Sequence, residues 1–256
     1  MCFDADSLPP IPVVSGAAVS HEDIVLEAAD GNGLAAFLAT PDEPTGAGVL
    51  VLPDVRGLYR FYEELALRFA ERGITALAID YFGRTAGVGK RDDDFDYMSH
   101  VEQGTPEGAA ADADAGIARL RDGGCRSVFT VGFCFGGRQS WLAATRHELA
   151  GAIGFYGRPG VTRDGTAGPT QRAAELKAPI LALMGGADPG IPAEDVAAFE
   201  RALTEAGVEH EIVTYDGAPH SFFDRKQAEF AAASADAWSR VLAFVERRTA
   251  AVAGAS

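Results

Sequence analysis

The segment at 127–138 restricts the fold of this chain more than any other part of the sequence. It reads Ser-Val-Phe-Thr-Val-Gly-Phe-Cys-Phe-Gly-Gly-Arg, an apolar run followed by glycines on both sides of Cys134. This order predicts a buried strand, a sharp turn and a helix, the arrangement called a nucleophile elbow. Gly132 and Gly136 lack a Cβ, so neighbouring backbone can approach closely and the turn lifts the Cys134 side chain above the sheet edge. The alternative is a buried, inert structural cysteine.

The rest of the chain alternates short apolar runs with stretches of helical periodicity. The sequence predicts a β-hairpin around a Gly31-Asn32-Gly33 turn, and the runs then expected to be strands are 48–52, 75–79, 127–133, 150–155, 179–184 and 211–215. The predicted helices are 59–72, 106–120, 136–146, 192–206 and 226–247. Continuous apolar strands between helices predict an α/β three-layer sandwich with a mostly parallel central sheet.

One domain is expected over 21–250, preceded by an extended, Pro-rich arm over 1–20 that lies on the surface. No linker or internal repeat divides the domain. Two loops, at 83–102 and 157–171, are longer than a simple connection needs. Such loops often carry function, and a solvated, mobile loop is the alternative for each.

Charge and cysteine content exclude several classes of partner. The 22 Lys and Arg against 37 Asp and Glu give a net charge of −15, which argues against nucleic acid or an anionic membrane as the main partner. Cys2, Cys125 and Cys134 are too scattered for a disulfide framework or a zinc site, so no metal is expected. Without a recognisable signal peptide or membrane-length apolar run, a cytoplasmic location is predicted.

A cysteine nucleophile needs a base and an acid that orients the base. In this architecture the acid and the histidine follow the nucleophile along the chain. His220 comes just after the last predicted strand, and Asp188 comes just after the strand before it. His220 as an ordinary loop histidine and Asp188 as a helix N-cap are the alternatives.

These residues resemble the motifs of the dienelactone hydrolases, also called carboxymethylenebutenolidases. Cys134 lies in GFCFGG, Asp188 in MGGADPGIP and His220 in GAPHSFFDR, and the resemblance extends from about residue 20 to 248. It implies an α/β-hydrolase fold, a Cys-His-Asp triad and no metal or organic cofactor.

The resemblance also implies roles for the surrounding residues. The amides of Val55 and Phe135 would form the oxyanion hole. Asp54 takes the place of a family glutamate that helps to deprotonate the thiol. Arg84 matches an arginine that holds a substrate carboxylate. A second such arginine is replaced by Asp224, with Arg225 one residue later.

From the residues themselves, several of these roles have alternatives. Arg84 is a candidate for substrate binding or an ordinary surface cation. Arg56, beside the oxyanion loop, is a second candidate for substrate binding or a partner of Glu63 or Glu64. Tyr156, at a strand end, is expected either to meet substrate or to pack in the core.

The sequence thus predicts a hydrolase that cleaves a small ester or lactone, with a carboxylate-bearing substrate as one option. A general esterase for small esters and a ligand-binding relative without turnover are the alternatives, and a thiol redox protein is a weaker one. The expected oligomeric state is a monomer or a homodimer.

Overall fold

A single twisted sheet runs through the molecule in the computed structural model, which describes residues 4, 6–92, 94–162 and 165–254. Its strands are β1 (Val19–Glu27), β2 (Gly33–Pro41), β3 (Ala47–Leu52), β4 (Thr75–Ile79), β5 (Ser127–Phe133), β6 (Gly151–Phe155), β7 (Ile180–Gly185) and β8 (His210–Tyr215). The spatial order is β1-β2-β4-β3-β5-β6-β7-β8. Only the β1–β2 and β2–β4 pairs are antiparallel.

Helices cover both faces of this sheet. They are α1 (Arg60–Ala70), α2 (Gly83–Ala86), α3 (Tyr97–Val101), α4 (Pro106–Asp122), α5 (Phe135–Ala143), α6 (Ala193–Glu205) and α7 (Ala231–Gly254), with 3-10 turns at Ala173–Glu175 and Ala228–Phe230. Helices α1 and α7 meet on one face through Phe69 and Trp238, whose ring centroids are 4.8 Å apart. On the other face α5 contacts both α4 and α6, the latter through Trp141 and Phe199. The predicted three-layer α/β sandwich is confirmed.

The pattern of apolar residues explains this arrangement. All residues of β3, β5, β6 and β7 are buried, because each strand has helices on both faces. The edge strand β1 is largely exposed. Helix α1 buries the stripe formed by Phe61, Tyr62, Leu65 and Phe69. Helix α4 begins at Pro106, where the Thr105 hydroxyl accepts a hydrogen bond from the Gly108 amide at 3.0 Å.

Part of the N-terminal arm is buried, whereas the sequence predicted an arm lying on the surface. Ser7 and Ile11 are buried. The Ser7 hydroxyl donates to Asp224 Oδ2 at 2.6 Å, and the Arg225 amide donates to the Leu8 carbonyl at 3.0 Å. The arm is also two residues shorter than expected, because β1 already begins at Val19.

The two long loops are anchored by buried arginines. In the loop 83–102, Arg91 donates to Asp80 Oδ2 at 2.7 Å, and both side chains are almost completely buried. This loop contains α2 and α3, and its Asp93 lies outside the described residues. The second loop, 157–171, is held by Arg138, as shown below; Arg163 and Asp164 lie outside the described residues.

Candidate active site

Cys134 occupies a strained turn between β5 and α5. Its backbone has φ 52° and ψ −111°, outside the regions that ordinary residues favour. A Cβ at Gly132 would collide with the carbonyl of Gly136, and a Cβ at Gly136 would collide with the carbonyl of Leu52. Glycine is therefore required at both positions for the chain to pass from strand to helix. The thiol residue itself is half-buried.

The two amides predicted to form the oxyanion hole belong to Val55, in the loop after β3, and to Phe135, the first residue of α5. The Cys134 amide donates to the Phe155 carbonyl at 3.0 Å, so it is occupied. Within the described parts of the chain, neither the Val55 amide nor the Phe135 amide donates to a protein acceptor. Phe135 also opens α5, where the helix dipole favours negative charge. These two amides are the candidate oxyanion hole.

His220 and Asp188 are hydrogen-bonded to each other. His220 Nδ1 lies 2.6 Å from Asp188 Oδ2, while the Gly190 amide donates to Asp188 Oδ1 at 2.8 Å. Burial is the largest single influence on the pKa of Asp188, and it raises this pKa. The hydrogen bonds from His220 and Gly190, with the nearby positive charge, nevertheless hold the pKa of this carboxyl below its ordinary value. Asp188 is therefore an anion that can hold the imidazole in one orientation.

The sheet topology brings the three predicted triad residues to one edge. Cys134, Asp188 and His220 follow β5, β7 and β8, which are parallel strands whose carboxyl ends lie together. Tyr156 stands between them at the end of β6. Its neighbour Phe155 binds the Cys134 amide, and the Tyr156 ring lies 4.9 Å from the His220 ring.

Tyr156 is fully buried, which favours packing against His220 over the predicted substrate contact. A side chain with no exposed surface cannot meet a bound molecule unless the site rearranges.

Asp54 organises the loop that presents the Val55 amide. Its Oδ1 accepts a hydrogen bond from the Arg56 amide at 2.8 Å, and its carbonyl accepts one from the Gly57 amide at 3.2 Å. The Tyr59 hydroxyl donates to Oδ2 at 3.4 Å. Burial raises the pKa of Asp54 to about 6, although the Arg56 amide, the Arg56 charge and the hydroxyls of Tyr62 and Tyr59 act in the opposite direction. The sequence analysis missed this turn, although the Asp-x-x-Gly pattern signals it.

A cavity of about 260 Å³ opens beside this oxyanion loop. Val55 and Phe135 are among the residues that line it, and Tyr81 and Leu142 contribute apolar surface. His100 also lines the cavity; its ring stacks on Phe95 at 5.0 Å. His100 precedes the elbow in the chain and therefore does not fit the order of nucleophile, acid and histidine expected for the triad.

Arg84 lines the same cavity but is bound to carboxylates of the protein. Its Nε and Nη2 donate to Asp30 Oδ2 at 3.2 and 2.7 Å, and its Nη1 donates to Asp112 Oδ2 at 2.5 Å. Arg84, which was predicted to hold a substrate carboxylate, therefore already binds two carboxylates of the protein. Asp112 was not identified from the sequence, because nothing in α4 indicates that this residue faces Arg84.

Arg56 lies over aromatic rings next to the oxyanion loop. Its guanidinium is 4.6 Å from the Tyr59 ring centroid and 5.9 Å from that of Tyr97. The two glutamates expected to pair with Arg56 bind other cations. Glu63 binds Lys90, and Glu64 pairs with Arg60 and Arg68. Asp224, at the position where the family has its second arginine, contacts the N-terminal arm instead. Its neighbour Arg225 also binds this arm.

Arg138 is a further residue that sequence reasoning missed. It lies one turn after Cys134 on α5 and is almost completely buried. Its two terminal nitrogens donate to backbone carbonyls of the loop 157–171, namely those of Arg158, Gly160, Thr166 and Ala167. Because Thr162 and Thr166 line the cavity, Arg138 fixes one of its walls.

The described residues contain no group of three or more His, Cys, Asp or Glu side chains that could hold a metal ion. Their helices include none that is both apolar and long enough to cross a membrane.

Comparisons with known proteins point to one family. The dienelactone hydrolase family matches residues 34–249. A Yersinia pestis protein named "Putative carboxymethylenebutenolidase" is 30% identical over 223 residues, which cover 83% of each chain. A relative of the same name from Escherichia coli K12 is 31% identical over 223 residues, covering 83% of this chain and 82% of its own.

Solved structures agree on the fold. The crystal structure of a "Putative Dienelactone Hydrolase" from Klebsiella pneumoniae has a TM-score of 0.78 and 26% identity, covering 90% of this chain and 99% of its own. Brefeldin A esterase has a TM-score of 0.70 and 14% identity, covering 93% of this chain and 80% of its own. At that identity only the fold is shared, and it confirms the predicted α/β-hydrolase fold.

Proposed function

Because this chain belongs to the dienelactone hydrolase family, we propose that it cleaves an ester or lactone bond with Cys134 as the nucleophile. One observation carries the proposal. The elbow cysteine and the hydrogen-bonded His220–Asp188 pair follow parallel strands and therefore share one edge of the sheet.

In the proposed mechanism His220 removes the thiol proton, and the Cys134 thiolate attacks the carbonyl carbon of the substrate. The oxyanion that forms accepts hydrogen bonds from the Val55 and Phe135 amides. A donor of this kind is worth about 2.7–4 kcal/mol in comparable sites. When the tetrahedral intermediate collapses, the leaving oxygen takes the proton from His220 and an acyl thioester remains on Cys134.

Water completes the cycle. His220 accepts a proton from water, which attacks the thioester and releases the acid, and the proton returns to the sulfur. Asp188 stabilises the imidazolium at each stage through its short hydrogen bond to Nδ1, and His220 transfers the proton through Nε2.

The test compares wild type with Cys134→Ala on a panel of 4-nitrophenyl acetate, aliphatic lactones and dienelactone. We expect Cys134→Ala to lower kcat/KM by roughly 10³-fold or more, because the nucleophile is removed. Its melting temperature should stay close to that of wild type. Cys125→Ala is the matched control, since this cysteine is half-buried and lies at the other end of β5.

Retained hydrolysis in Cys134→Ala would contradict the mechanism. Mass spectrometry of acid-quenched wild type should find the acyl group on the peptide that contains Cys134. Alkylation of Cys134 by iodoacetamide without turnover of any ester would instead favour the ligand-binding relative. The ratio of lactone to simple-ester turnover separates a lactone hydrolase from a general esterase.

A further inference from the structure

We infer that the cavity beside Val55 and Phe135 takes an uncharged substituent of the substrate, and that Asp112 and Asp30 set this preference by neutralising Arg84. This inference rests on the proposed hydrolysis at Cys134 and names the class of substrate: neutral esters or lactones rather than carboxylate-bearing ones.

The geometry of Arg84 carries the first step. All three of its guanidinium nitrogens donate to carboxylates, two contacts to Asp30 and one to Asp112. The Asp112 side chain is 1% exposed and also accepts a hydrogen bond from Asn32 Nδ2 at 3.1 Å. A substrate carboxylate at Arg84 would have to share the guanidinium with two protein carboxylates that already bind all three of its nitrogens, and one cation among three carboxylates would leave excess negative charge.

The second cation of the cavity wall is also engaged. Arg138 directs both terminal nitrogens at four carbonyls of the loop 157–171. Binding a carboxylate there would release the loop that forms the wall. The two terminal nitrogens of Arg138, which together could bind a carboxylate, are therefore already hydrogen-bonded to the protein.

The charges at this wall are then balanced. Arg84 and Arg138, which line the cavity, contribute two positive charges, and the Asp30 and Asp112 carboxylates bound to Arg84 contribute two negative ones. Much of the remaining surface is apolar, including Tyr81, Phe82, Val101, Phe135 and Leu142. With a net charge of −15 on the whole chain, nothing in the long-range field attracts an anion. An apolar, uncharged group is the ligand this cavity matches.

A matched pair of substrates tests the inference. 4-Nitrophenyl hexanoate is neutral, whereas the 4-nitrophenyl monoester of adipic acid has the same chain length and adds a terminal carboxylate. For wild type we expect kcat/KM to be at least about tenfold higher for the hexanoate, since the carboxylate must lose its hydration without gaining a partner. Equal rates, or a preference for the anion, would overturn the inference.

Asp112→Asn tests the cause. It removes one of the two negative charges that neutralise Arg84, so the preference for the hexanoate should fall by about fivefold. Asp114→Asn is the matched control: it lies on the same helix and changes the net charge equally, but it binds Arg146 and His147 at 2.7 and 2.8 Å. Its ratio should stay at the wild-type value. If both variants shifted the ratio equally, overall charge would be the cause and the inference would fail. Should Asp112→Asn not fold, the half-exposed Asp30 offers Asp30→Asn with the same expected direction.

Alkylation of Cys134 distinguishes this inference from the proposed hydrolysis. If neither ester is cleaved, the proposed function fails, but the charge of the site can still be measured. Rates of Cys134 alkylation by iodoacetate and by iodoacetamide, read by peptide mass spectrometry, need no turnover. Asp112→Asn should raise the iodoacetate-to-iodoacetamide rate ratio about threefold, and Asp114→Asn should not. An unchanged ratio in Asp112→Asn would overturn the inference in either case.

Discussion

The buried carboxyl of Asp54 should make the stability of this protein depend on pH in a way that a single substitution removes. Asp54 has no exposed surface, and burial raises its pKa from the ordinary 3.8 to about 6. Between these two values the native state binds more protons than the unfolded state. The free energy of unfolding must therefore fall as the pH rises through this window.

The size of the effect follows from the two pKa values. Their difference corresponds to about 3 kcal/mol, of which about 2 kcal/mol is lost between pH 4 and pH 7. Asp54→Asn keeps an oxygen that can accept the Arg56 amide, but it does not ionise. The variant should therefore gain about 2 kcal/mol relative to wild type over this pH range.

Urea unfolding at pH 4, 5, 6 and 7 measures this difference directly. Because each comparison is made at one pH, contributions from other titrating groups cancel. Asp42→Asn, at an exposed position, is the matched control and should run parallel to wild type. If the Asp54→Asn curve also ran parallel to wild type, the raised pKa of Asp54 and the reasoning from its burial would be refuted.

Two further predictions concern the backbone of the site. Gly136→Ala should lower the free energy of urea unfolding by about 3 kcal/mol or more, because the new Cβ meets the Leu52 and Pro53 carbonyls. Gly89→Ala is the control, because a Cβ at Gly89 meets no atom within 4 Å. Equal losses in the two variants would argue against the elbow geometry. Arg138→Met should speed cleavage within 157–171 by proteinase K at least about tenfold, because four carbonyls of this loop lose their donor. Arg121→Met, which loses one exposed hydrogen bond, should leave this cleavage at the wild-type rate. Unchanged cleavage in Arg138→Met would show that Arg138 does not hold the loop.

Much of the fold follows from local sequence patterns. Fully buried parallel strands need uninterrupted apolar runs, and the predicted runs at 75–79 and 127–133 coincide with β4 and β5. The elbow is local only in part. Gly132 is required by the carbonyl of Gly136, four residues later, whereas Gly136 is required by the carbonyls of Leu52 and Pro53 at the end of a neighbouring strand. The predicted helix ends are less accurate. Helix α5 ends at Ala143 rather than at 146, and α7 begins at Ala231 rather than at 226. Terminal turns depend on contacts with distant segments, as the bonds of Asp224 to the N-terminal arm illustrate.

The sequence by itself determined which residue types could do chemistry and in what order they follow one another: an elbow cysteine, then an aspartate and a histidine after successive strands. Their catalytic roles stay predictions until the variants are measured. Only the tertiary structure decided what each charged side chain contacts. The pairing of Arg84 with Asp30 and Asp112, and of Arg138 with the loop 157–171, joins residues far apart in the chain. The physical reason is that backbone geometry depends on near neighbours, whereas the partner of a buried charge depends on which segments the fold packs together.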